Sequence, residues 1–183
     1  MQEYINAIAH RLQVGLFTIP SLSAWLYAVA LVLVLAVISL PIGFKLGFLQ
    51  IQILQGSWIR ILAIVARAFP IPGISEELFF RVILLPHPTE NASSEAKWIW
   101  GCISLAMFIV YHPLEGLTIF PAAFTTFTNP VFLLLAAFLG IACTLSYLQS
   151  GSVWTVAAIH WLVVVVWLVL LGGDRKLSTK HTN

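Results

Sequence analysis

Between Ser23 and Leu40 the chain runs the length of a membrane-crossing helix without a charged residue. Spanning the hydrocarbon core of a bilayer takes roughly 20 apolar residues in helical form. In that setting every backbone polar group must find its partner within the protein, which leaves helices and closed barrels as the usable structures. The run is too long for the core of a signal peptide, and no positively charged stretch immediately precedes it, so it reads as a retained span. Pro20-Ser21-Leu22-Ser23 offers serine as a helix cap at its start.

The remaining sequence supports the same class. Of 183 residues, 60% are hydrophobic and 9% charged, where a soluble domain carries about 25% charged residues. Mean hydropathy is +0.98. The expected architecture is an all-α, polytopic membrane bundle in one domain (residues 1–183), with about five spans plus an amphipathic or re-entrant segment. A net charge of +2 with scattered positive residues offers no surface for nucleic acid. Cys102 and Cys143 sit in apolar segments as small hydrophobes, with neither disulfide nor zinc-ligand spacing.

Gly43 and Gly47 form a small-xxx-small pair suited to helix packing or bending. Residues 51–69 carry Arg60 and Arg67 two helical turns apart, on one face of an amphipathic helix that would lie at the headgroups. Pro70-Ile71-Pro72-Gly73 breaks it, and a fresh helix runs from Ser75 to Leu85, ended by Pro86-His87-Pro88. Residues 87–97 form a polar loop, in which Asn91-Ala92-Ser93 is a sequon of little weight. Lys97 to Tyr111 is the next helix, with His112 at its end or at a kink, because the residue before proline is disfavoured in α geometry. Residues 114–129 look re-entrant or interfacial. Pro130–Leu148 and Ser152–Leu171 are antiparallel neighbours joined by Gln149-Ser150-Gly151, and Gly172-Gly173 closes the last helix.

Arg175, Lys176 and Lys180 mark the tail as cytoplasmic by the positive-inside rule, with Lys45 and Arg60 on the same side. Glu90 and Glu95 fall on the opposite side, while Arg11 and Lys97 run against the pattern. No targeting segment is evident, and the expected location is a bacterial-type plasma membrane or a related internal membrane.

Against this apolar background, Ser75-Glu76-Glu77-Leu78-Phe79-Phe80-Arg81 marks the site of chemistry. An ionised carboxylate alone in hydrocarbon must be paired, neutralised or used. Glu77 and Arg81 share a helix face at i and i+4 and can pair, whereas Glu76 points about 100° away. One acid is thereby neutralised and the other left to face a cavity. A purely structural reading makes Glu77–Arg81 a folding clamp and Glu76 a filler of the bundle. His112 ends an apolar segment, where a satisfied interfacial role is ordinary, and His160 lies midway along the last span, where a polar ring needs a partner. His10, His87 and His181 receive no role. A glutamate and two histidines on three helices can hold a water, directly or through a divalent metal, for attack on a carbonyl. The sequence does not require a metal.

Glu76-Glu77-x-x-x-Arg81, Phe108-x-x-x-His112 and a late His160 resemble, in order and spacing, the motifs of the CAAX-protease and bacteriocin-processing (CPBP, or Abi) family over about residues 70–172. The resemblance implies an all-helical intramembrane protease. It implies Glu76 as general base, His112 orienting the water, Glu77 and Arg81 as a supporting pair, and His160 stabilising the oxyanion. The third motif departs from the family: Val164 stands where Asn or Asp is expected four residues after His160. Valine donates no hydrogen bond, and loss of one oxyanion donor slows a reaction by about 100- to 1000-fold.

Two functions follow for this membrane-embedded chain. One is an intramembrane endopeptidase cleaving a membrane-bound or lipidated peptide through a glutamate/histidine-activated water. The other is a catalytically weakened relative that binds membrane proteins or assists their assembly, with seven tryptophans and twelve phenylalanines as anchors. The aromatics also fit an ordinary interfacial belt. A transporter is disfavoured, because no internal repeat is visible.

Overall fold

Each long helix after the first starts where the sequence offers a side-chain oxygen to its free N–H groups. In this computed structural model, which describes residues 2–178, the chain opens with α1 (Gln2–Phe17). Ser21 then accepts the Ala24 N–H at the head of α2 (Leu22–Lys45), and Ser57 the Arg60 N–H at the head of α3 (Trp58–Ala68). A π-helical turn (Phe69–Ile74), the short α4 (Ser75–Glu77) and a second π-helical turn (Leu78–Ile83) follow. Ser93 caps α5 (Ser94–Thr118), and α6 is Phe124–Phe127. Asn129 caps α7 (Pro130–Ser150), Ser152 caps α8 (Val153–Leu170), and α9 is Gly173–Ser178. No strand occurs among the described residues, although Gln52 bridges to Leu171. Lys180 and His181 lie outside the described residues.

Among the described residues, five stretches are long and apolar enough to cross a membrane: Leu22–Lys45, Trp58–Glu90, Ser94–Thr118, Pro130–Ser150 and Val153–Leu170. The protein is an all-α polytopic membrane bundle. Three boundaries differ from the sequence reading. The amphipathic segment and the helix after Ser75 are one crossing stretch, bent where Ile71 takes extended angles (φ −138°, ψ 109°). The part after Ser75 is by itself too short for a bilayer. Helix α5 passes through Pro113 instead of ending at it, because Glu115 and Gly116 on its next turn are buried in the bundle. The polar first residues form a helix, α1, whose Leu12 and Leu16 pack on the core.

Polar clasps define the two ends. At one, Arg60 pairs with Asp174 at 2.8 Å and Arg175 donates to Gln50 at 3.0 Å, which brings the start of α3 and the tail together. At the other, Arg11 pairs with Glu90 at 2.7 Å and donates to the Ile83 carbonyl at 2.9 Å. Arg11 thus has a local partner, which explains its disagreement with the positive-inside pattern. An aliphatic cluster including Val82, Leu139 and Val156 and an aromatic one including Phe80, Phe108 and Phe132 fill the space between the ends.

Candidate active site

The bend between α3 and α4 lies hard against α8. A methyl group on Gly73 would stand 3.3 Å from both the Ala157 carbonyl oxygen and the Trp161 Cβ, so glycine permits this approach. Trp161 Nε1 ties the helices together by donating to the Val65 carbonyl at 2.8 Å. This crossing carries the α4 carboxylates to the middle of α8, where His160 lies.

Glu77 and Arg81 are both fully buried. Arg81 Nη1 donates to Glu77 Oε1 at 3.2 Å, and His160 Nδ1 donates to the same oxygen at 2.6 Å. Arg81 Nη2 donates to the Gly140 carbonyl at 3.0 Å, and its guanidinium carbon sits 4.5 Å from the centre of the Phe108 ring. A cation over an aromatic face gains further from such desolvation. With Nδ1–H committed to Glu77, the neutral imidazole of His160 carries its lone pair on Nε2. That nitrogen is 4.0 Å from Glu76 Oε2.

Glu76 is 8% exposed and makes no hydrogen bond with any described residue, its Oε2 being enclosed without a partner. His112 is buried in the interior of α5, framed by Phe108, Phe127 and Phe132 with ring centres 4.8, 5.8 and 5.1 Å away. Its Nδ1 donates to the Phe108 carbonyl at 2.8 Å, so Nε2 is again the free acceptor. Glu76, His112 and His160 line one cavity of about 780 Å³, whose wall is otherwise mostly apolar. The geometry therefore joins all five residues singled out from the sequence: three at the cavity, with Glu77 and Arg81 directly behind His160.

Residues 57–166, more than half of the chain, match the family described as type II CAAX prenyl endopeptidase, Rce1-like. The chain belongs to that family. No curated protein matches it, and no solved structure does. The three stretches that carry the resemblance, from Glu76 to Val164, fall inside the matched residues.

Val164 lines the same cavity one turn beyond His160, so the departure from the family pattern lies at the site itself. Glu115, also 8% exposed, lines the cavity as well and was missed in the sequence. The signal was there: an acid in an apolar stretch, three residues after His112 and so on the same helix face. Pro113 hid it by suggesting that the helix had ended. His87, given no role, is structural, with Nε2 3.0 Å from the Gly151 carbonyl oxygen. Among the described residues no three His, Cys, Asp or Glu side chains are grouped to hold a metal ion.

Proposed function

We propose that this Rce1-like protein is an intramembrane endopeptidase that cleaves a membrane-bound peptide of the prenylated CAAX type named in the family's description. One observation supports it above others: Glu76, buried and without a hydrogen bond among the described residues, faces an apolar cavity lined also by two histidines whose Nδ1 atoms are already engaged. A general base needs a free acceptor within reach of the water it deprotonates. Glu76 takes the proton as the water oxygen attacks the peptide carbonyl, and His112 Nε2 accepts the water's other hydrogen and sets its direction. His160 is fixed in orientation by Glu77, as a carboxylate fixes an imidazole in other hydrolytic sites. Protonated at Nε2 by solvent before the attack, it donates to the oxyanion, with Glu77 balancing its charge. Glu76 then passes the proton it took from water to the amide nitrogen as the C–N bond breaks. Arg81 holds Glu77 in place. The apolar wall holds the lipid-like part of the substrate and excludes bulk water.

The test is cleavage of a prenylated peptide ending in cysteine, two aliphatic residues and a terminal residue, by purified protein in liposomes, followed by mass spectrometry. Wild type should release the C-terminal fragment, and Glu76→Gln should not while remaining folded. Absence of cleavage by folded wild type overturns the reading. Val164 favours a second reading, a binding or assembly factor for membrane proteins, since it removes the family's donor from the cavity. Stable capture of the intact peptide by wild type and Glu76→Gln alike, with no product, would support that alternative.

A further inference from the structure

Glu115 has no part in the proposed chemistry, yet it shares the cavity with Glu76. Among the described residues its carboxylate accepts one hydrogen bond, from the Tyr111 hydroxyl at 3.5 Å, the outer limit of such a contact. Glu76 has none among the described residues. Two carboxylates, each about nine-tenths buried, thus stand in an apolar cavity without the partners that buried charges ordinarily have.

His160 Nε2 approaches Glu76 Oε2 to 4.0 Å, but among the described residues no cation pairs with Glu115. Arg81 is committed to Glu77 and the Gly140 carbonyl, and Arg60 to Asp174. Lys176 Nζ lies over the Phe48 ring, 4.8 Å from its centre. Arg67 lines the cavity from α3 with an exposed side chain. Part of the wall is aromatic: the ring centres of Phe132 and Trp167 lie 5.6 Å apart. Ring faces attract cations, and a buried carboxylate gains from an opposite charge brought beside it.

We propose that the cavity binds an amphiphilic cation, with its apolar portion along Leu35, Ile64 and Leu139 and its ammonium or guanidinium group against Glu115. Glu115 is then a specificity-determining residue that favours positive over neutral ligands. In the peptidase reading, on which this step alone rests, the cation is a lysine or arginine side chain of the substrate just N-terminal to the prenylated cysteine.

Brominated alkyl probes test the site without requiring catalysis, because bromine quenches tryptophan emission on contact and Trp167 lines the cavity. Protein in neutral-lipid nanodiscs is titrated with 11-bromoundecyltrimethylammonium and with 11-bromoundecanol. The cation should bind at least about tenfold more tightly than the alcohol. Glu115→Gln should bring the two to near equality, Glu115→Asp should keep the preference, and Trp167→Phe should remove the cation-specific quenching. Equal affinity in wild type overturns the proposal. So does a gap that persists in folded Glu115→Gln, or cation quenching unchanged in Trp167→Phe, which needs no Glu115 variant to fold. Among prenylated peptides carrying Lys, Gln or Glu just N-terminal to the cysteine, wild type should prefer Lys in kcat/KM and folded Glu115→Gln should not. Probe selectivity without any peptide cleavage would overturn the peptidase reading and leave the cation site standing.

Discussion

Glu77 Oε1 stands 2.6 Å from His160 Nδ1, across 83 positions of sequence, and takes a second hydrogen bond from Arg81 at 3.2 Å. One carboxylate oxygen therefore joins the charge that neutralises it to the ring that it orients. Glu77 makes both the i,i+4 pair expected from helical spacing and a bond to a histidine at the cavity. The adjacent acid, Glu76, has neither bond. Two neighbouring residues of one type thus acquire different tasks from their direction on the helix.

Removing Arg81 should unfold the protein more readily than removing the carboxylate of Glu76. Arg81→Ala strands Glu77 in a site from which water is excluded, a loss of about 3–5 kcal/mol for breaking a buried pair. Glu76→Gln keeps a residue of similar size in contact with the cavity and should unfold within about 1 kcal/mol of wild type, the scale of one ordinary hydrogen bond. Thermal unfolding of both variants in one detergent reads the difference. Equal losses would show that the two acids share a structural role.

Gly140 should tolerate no side chain. A Cβ there would lie 2.7 Å from Leu105 Cδ1 and 3.1 Å from Arg81 Nη2, displacing the guanidinium from the Gly140 carbonyl that it binds. Gly140→Ala should therefore destabilise by about 1–3 kcal/mol, the range for overpacking a filled core. Because the shift moves Arg81, it should also lower peptidase activity. Stability and activity both unchanged would mean that Arg81 has room to re-pair elsewhere.

The sequence made much of this legible, for reasons that also explain its gaps. Charge-free runs of membrane-spanning length identify the apolar helices, since a bilayer leaves such runs few alternatives. The Glu77–Arg81 pair follows from local helical spacing alone. The Glu77–His160 bond does not, because it depends on how closely Gly73 lets the bend approach α8. Pro113 removes one helical N–H, but burial of Glu115 and Gly116 on the following turn carries α5 through to Thr118. Tertiary packing thus outweighed a local breaker and concealed the second cavity carboxylate. In α1, two leucines one turn apart in a polar stretch were too short a pattern to mark a helix beforehand.

His112→Phe should separate activity from folding. Its ring already packs among Phe108, Phe127 and Phe132, so a phenyl group suits the site. The variant should fold with near-native stability and lose about 100- to 10,000-fold in kcat, the range for removing a proton-handling group. Retention of activity would place the water-orienting group elsewhere on the cavity wall.

Val164→Asn should speed cleavage. Position 164 is one helical turn from His160, and its side chain already lines the cavity. An amide there can donate to the oxyanion where valine cannot. Since removal of one such donor slows reactions by about 100- to 1000-fold, its restoration should raise kcat by at least about tenfold, with little change in KM. Asparagine has the open cavity and His160 nearby to satisfy its polar atoms, so the folded protein should survive the change. Val164→Ala is the control, because it makes the same room without supplying a donor. A rate for Val164→Asn no higher than that of Val164→Ala would show that position 164 does not face the developing oxyanion. A gain confined to asparagine would identify the missing amide as what limits the wild-type rate.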